Sequence, residues 1–315
     1  MDITDIIKRP VWERPYTGKD VSKYSTMAEV IHYAGLDYQI EKVPLFLPNG
    51  KQFNGKFALV QLGLNEPLGL VGTTYQVHQN RDLFLMLEGL SDEGEYVKAG
   101  LTENNIAFVL FKLDRKFSVG GQEFDLYIMS YTRNSVEISF RIELIPVFPP
   151  TGAIVKIDGV GQRWMNIRSE RYPLIIEKQL DEVRLFIDQY MKDLDSYADF
   201  LISQDVEGYE ESIIHDIIPL HKYMANVRII ENEVGRAWCW NLYVDLCNTP
   251  PQENHYGTAW GMTLVLMSWE TCREPSRKVK RWQEKAMERV LFDNRDYRKM
   301  EEVINGYVKR KDQQE

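Results

Sequence analysis

Apolar side chains at Ile176, Leu180, Val183, Ile187, Tyr190, Leu194, Tyr197 and Leu201 recur at spacings of four and three. That is the period of one helical face, and it predicts a single helix of about eight turns from about 174 to 202. The stripe suits a coiled-coil seam between chains or the inside of an intramolecular bundle. Later helical stretches at Ile230–Cys247, Thr258–Thr271 and Val279–Phe292 are able to cover it, which favours the bundle. The N-terminal half has a different rhythm. Val136, Ile138, Phe140, Ile142 and Leu144 alternate as in a half-buried strand, Ile106–Leu113 is apolar throughout except for Lys112, and Gly120-Gly121 is a turn. Thr26 followed by Glu29 is a capping box for a short helix ending near Gly35. Pro48-Asn49-Gly50 turns one strand back on another, with Phe57–Leu62 as the return. Asn80 is placed to cap a helix over Arg81–Leu90, whose Leu83, Phe84, Leu87 and Leu90 share a face. The predicted class is α+β: an antiparallel sheet with short helices in residues 1–150, then a helical bundle in residues 151–315. The proline-rich run Pro146–Gly152 is the expected boundary, and Lys309–Glu315 are expected to fray.

Composition narrows the class further. A chain of 315 residues with 44% hydrophobic and 12% aromatic content buries a substantial core. The start MDITDIIKRP has no uninterrupted apolar run, and the longest such run, within Trp260–Trp269, is too short to span a bilayer, so neither a secretory signal nor a membrane anchor is expected. Three cysteines, Cys239, Cys247 and Cys272, do not make a disulfide framework and predict reduced thiols in a reducing cytoplasm. The net charge of −9 is uneven: residues 273–311 carry 13 basic and 7 acidic side chains, against 25 basic and 38 acidic in residues 1–272. A local basic surface is therefore compatible with an acidic whole.

Several segments in order carry a resemblance. LGLVGTTYQVHQN (Leu68–Asn80), YSTMAEVIHYAGLDYQIEKVPLF (Tyr24–Phe46), EYVKAGLTENNIAFVLFKL (Glu95–Leu113) and GTAWGMTLVLMSWETC (Gly257–Cys272), with the Arg/Lys-rich stretch after the last, resemble the phage- and plasmid-associated family known as domain of unknown function 932. The chain departs from that family where a Cys-x-Asn element is usual and ELIPVFPPTGAIV (Glu143–Val155) stands instead. The resemblance implies a phage or plasmid setting.

Catalytic and metal motifs fail on spacing. Cys239, Cys247, His255 and Cys272 do not have the separations of a zinc finger or ribbon, and three of them lie in apolar helical patterns that suit core thiols. His215 and His221, with Pro219 between them, do not share a helical face. Gly159-Val160-Gly161-Gln162-Arg163 lacks the third glycine and the βαβ context of a dinucleotide loop. The twelve acids against three bases in Glu177–Asp216 occupy outward positions and read as a solvated face. His78, just before a predicted helix start, suits capping, packing or ligand contact. No cofactor and no enzymatic activity are expected.

One surface points to a ligand. Opposite the Val136–Leu144 row, parity places Ser139, Arg141 and Glu143, and the preceding strand adds Tyr127, Met129, Tyr131 and Arg133. Aromatic rings beside guanidinium groups suit single-stranded nucleic acid, since bases stack on rings and phosphates meet cations; an ordinary half-exposed sheet has the same composition. A second basic set, Arg277, Lys278, Lys280, Arg281 and Lys285, follows the Gly257–Cys272 helix. The leading expectation is an accessory protein binding single-stranded DNA through Arg133, Arg141, Tyr127, Tyr131, Lys278, Lys280 and Arg281, in strand annealing during recombination. Its helix, hairpin sheet, helix order is similar to annealing folds of the Erf and RecT type, a fold-level analogy. The alternative is a non-enzymatic protein that engages a phage, virion or host protein through the acidic helical half. Either class is compatible with a homo-oligomer.

Overall fold

A computed structural model describes residues 18–63, 66–75, 77–102, 105–133, 140–160, 162–166, 176–218, 236–245, 255–272 and 295–312. Its main sheet is antiparallel and runs β1 (Lys19–Asp20), β5 (Gly94–Leu101), β6 (Ile106–Leu113), β8 (Gln122–Arg133), β9 (Arg141–Phe148) and β10 (Ala153–Ile154). Beside β10, β11 (Trp164–Asn166) also pairs with β9, and β7 (Phe117–Val119) forms a hairpin with β8. A separate three-stranded sheet consists of β2 (Ile40–Phe46), β3 (Gln52–Gln61) and β4 (Glu66–Gly72), joined to the main sheet through α1 (Met27–Ala34) and α2 (Asn80–Phe84). The later helices are α3 (Ile176–Ser203), α4 (Glu210–Ile217), α5 (236–245), α6 (Ala259–Cys272) and α7 (Arg295–Asp312). The class is α+β, with most helices in the C-terminal half.

Alternation governs β9 as expected: Phe140, Ile142, Leu144 and Phe148 enter the principal core, while Ile145 and Val147 point to the other side. Val136, Ile138 and Ser139 lie outside the described residues. Strand β6 is apolar up to Lys112 because residues on both of its faces are buried. Ala107, Val109 and Phe111 join the principal core, and Ile106, Phe108 and Leu110 a second one.

The long helix forms over the expected span, and Leu180, Val183, Ile187, Tyr190, Leu194 and Leu201 are buried within the chain. Burying each large apolar side chain contributes roughly 1.5–3 kcal/mol, so tertiary packing, not a seam to another chain, occupies the stripe. The principal core draws on both halves of the chain and runs across the expected boundary. Residues from Val21 to Val308 belong to a single buried cluster, and the proline-rich run is a turn after which Ala153 and Ile154 pair back onto Phe148 and Val147. Two further local expectations change. Asn80 does not serve as a free cap, because its buried Nδ2 donates to Leu36 O at 3.1 Å and ties α2 to the end of α1. The helix after it tightens into a 3-10 segment at Leu85–Glu93, where a Cβ on Gly89 would stand 2.2 Å from Leu180 Cδ1. The helix expected at Val279–Phe292 lies outside the described residues. By contrast, α7 reaches Asp312, beyond the expected fraying point, and buries Tyr297, Met300, Ile304, Tyr307 and Val308 on one face.

Candidate nucleic-acid interface

Tyr127, Met129 and Tyr131 of β8 lie beside Ile145, Glu143 and Arg141 of β9, directly opposite one another in register. Arg133 ends β8 across from Ile106. The shared face, however, is packed. Tyr127 is 7% and Tyr131 4% exposed, amid Phe108, Leu110, Met129, Ile145 and Val147. Neither ring offers a face to a base in this conformation. The alternation that aligned these residues could not tell a solvated face from a second core, since Tyr and Met suit both. Lys278, Lys280 and Arg281 lie outside the described residues.

Polar groups on this face are engaged with one another. Glu143, 2% exposed, accepts from Tyr131 Oη at 3.1 Å, from Arg163 Nε and Nη2 at 2.9 Å each, and has Lys156 Nζ at 3.9 Å. A carboxylate at that depth is tolerable only with such counter-charges. Burial pushes the Tyr131 phenol above its ordinary value, and the Glu143 charge adds to the shift. Arg141, half-exposed, lies over the Trp164 ring at 4.5 Å.

A different surface combines an exposed ring, Tyr33, and a half-buried one, Tyr24, with cations. Gly18 holds φ +91°, and a Cβ there would stand 2.8 Å from Phe108 Cζ, so the glycine lets β1 run close along the edge of β5. Lys19 pairs with Ala99 and Asp20 with Lys98. The Asp20 carboxylate then accepts from the Ser22 backbone N–H at 3.0 Å and from Ser22 Oγ at 2.7 Å, bonds that hold its pKa below the ordinary value. This turn delivers Lys23 and Tyr24 to the surface. The capping box between Thr26 and Glu29 starts α1 as expected, and with Met27, Val30, Ile31 and Ala34 buried, Tyr33 faces outward at 39% exposure.

As a result, the Tyr24 and Tyr33 rings lie 5.0 Å apart at 47°. Lys23 Nζ is 4.9 Å from both ring centroids, and Lys19 Nζ is 5.2 Å from that of Tyr33 while donating to Tyr33 O at 2.7 Å. The nearby acids are engaged locally: Asp20 by Ser22, Glu29 by Thr26, and Asp37 by His32 at 2.7 Å. Sequence reasoning passed over this cluster, although Lys19, Lys23, Tyr24 and Tyr33 lie within fifteen residues. Lys98 joins them only through the β1–β5 pairing.

Other candidate chemistry resolves into structure. Backbone N–H groups of Asp158 and Gly159 donate to Glu301 at 2.9 and 3.1 Å, so the 3-10 turn Asp158–Val160 that opens the glycine-containing stretch is held by α7. His78 packs edge-on to Tyr75, with centroids 6.5 Å apart. Cys239 is buried, which pushes its thiol upward, and among the described residues no group of three or more His, Cys, Asp or Glu side chains is arranged to hold a metal. A cavity between α3, α6 and α7, lined by Tyr197, Thr263, Glu301 and Asn305, holds about 10 Å³, at most one water. No described helix is long and apolar enough to cross a membrane. No family model, no curated protein and no solved structure matches this chain.

Proposed function

We propose that this chain binds single-stranded nucleic acid through the surface formed by β1, the turn after it and α1, as an accessory protein of phage or plasmid recombination. The observation that supports this reading is the juxtaposition of the Tyr24 and Tyr33 rings with the ammonium groups of Lys19 and Lys23, with Lys98 on the adjoining strand. Rings supply sequence-tolerant stacking, and ammonium groups track phosphates. A backbone crossing the β1 edge would meet lysines while a base inserted against Tyr33 takes the position that a lysine stem now fills. Half-exposed Arg141 on Trp164 offers a second contact of the same kind.

Fluorescence anisotropy with labelled single- and double-stranded oligonucleotides at two salt concentrations tests the proposal. Lys19→Ala with Lys23→Ala should weaken binding across all sequences and reduce the log–log salt slope by about 1.4, roughly 0.7 per phosphate contact. Tyr33→Ala should remove about 1–3 kcal/mol with little change in slope. Absence of binding at low salt ends the proposal and leaves the protein-interaction alternative, for which Leu185 and Phe200, 69% and 49% exposed on the acid-rich α3, are the observation in favour.

A further inference from the structure

The small β2–β3–β4 sheet has two unlike faces. One is closed by the chain itself: Ile40, Leu59 and Val71 are buried against Phe57, Tyr75 and Val77. Lys42 Nζ lies 4.6 Å from the Phe57 ring centroid and donates to Thr73 O at 2.6 Å and to Tyr75 O at 3.1 Å, and Gln79 bonds both backbone groups of Ile40. The opposite face carries Val43, Ala58 and Leu70 in one cross-strand row, Glu41, Val60 and Pro67 in the next, and Lys56 opposite Gly72 at the other end. Leu70 is 55% exposed, and Val43 and Val60 are only half-buried. Around this sheet stand Phe46, Leu47, Phe53, Leu62 and Leu70, five of the eleven large hydrophobic side chains exposed among the described residues. Such a concentration marks an interaction site.

We infer that this open sheet face is a self-association surface and that its occupant is a second copy of this chain. Charge is ordered along the strands in a self-complementary way. Glu41 stands at one end, Lys56 at the other, and the apolar row lies between them. A twofold axis in the plane of the interface and across the strands brings each copy's Glu41 row over the other's Lys56 row, with apolar row on apolar row. The two charged residues are offset by one strand, about 4.8 Å, a distance their flexible stems span. An interface that pairs residue i with j and j with i is the signature of a twofold contact. With one acid and one base flanking aliphatic side chains, the face lacks the one-signed charge that a nucleic-acid surface needs.

Sedimentation of the full chain over a concentration series tests the inference. Dimers are expected, and Leu70→Glu should raise the dissociation constant by at least about tenfold. Glu41→Lys or Lys56→Glu alone should weaken association by roughly three- to tenfold, because like charges then meet. The double variant should recover it, and an equimolar mixture of the two single variants should associate more tightly than either alone. Circular dichroism of each variant separates these effects from misfolding. A wild-type chain that is monomeric at about 100 µM overturns the inference, as does a dimer indifferent to Leu70→Glu. A dimer sensitive to Leu70→Glu in which the double charge reversal fails to restore association overturns the twofold geometry.

Discussion

Glu143→Gln neutralises a buried carboxylate that faces two buried cations. The substitution keeps the shape of the side chain and one acceptor for Tyr131, but it removes the negative charge that faces Arg163 at 2.9 Å and Lys156 at 3.9 Å, side chains that are 5% and 1% exposed. At an effective dielectric of about 20, two unit charges about 4 Å apart interact by ~4 kcal/mol. Removing one partner of a buried pair typically costs about 3–5 kcal/mol, because the remaining charge is left desolvated. Arg163 and Lys156 have further contacts, so the lower end, about 3 kcal/mol, is expected. That is a large part of the roughly 5–15 kcal/mol that holds a domain folded. Urea unfolding followed by tryptophan fluorescence and far-ultraviolet circular dichroism measures it. Replacing both partners, Glu143→Gln with Arg163→Met, should cost less than the sum of the two single losses, with a coupling of about 1–3 kcal/mol. A Glu143→Gln protein within about 0.5 kcal/mol of wild type would refute the view that this carboxylate balances the buried cations.

Gly120 holds φ +57° in the turn between β7 and β8, its N–H donates to Asp195 Oδ1 at 2.8 Å, and a Cβ there would stand 2.9 Å from Trp260 Nε1. Gly120→Ala should therefore cost about 1–2 kcal/mol in thermal or urea unfolding, and an unchanged midpoint would contradict the close approach. Burial holds the His255 imidazole below its ordinary 6.5. As pH falls the unfolded chain takes up the proton first, so the stability His255 contributes is complete above about pH 6.5 and is lost below it. The loss of stability between about pH 7.5 and 5.5 should be smaller in His255→Asn than in wild type, and equal losses would show that the neutral imidazole carries none of it.

What the sequence determined by itself was local and periodic. The spacing of Ile176 to Leu201 sufficed for α3 because a helix repeats the same contact every three or four residues. Thr26 and Glu29 sufficed for the start of α1 because the capping box closes within four residues. The alternation through Phe140, Ile142 and Leu144 correctly assigned the principal core face and put Arg141 and Tyr131 together on the other. Tertiary structure alone decided whether that other face met solvent. Tyr127 and Tyr131 belong to a second buried cluster with Phe108, Leu110 and Ile145 of the neighbouring strands, a placement that leaves no trace in a strand's own parity. The same holds for the principal core, which both halves of the chain share. Pro146–Gly152 has the composition of a linker, yet only the pairing of Ala153 and Ile154 with β9 shows that it turns back into the sheet. The surface of Lys19, Lys23, Tyr24, Tyr33 and Lys98 likewise required an edge pairing across about eighty residues, since charges and rings converge on a ligand only when the fold brings their backbones side by side.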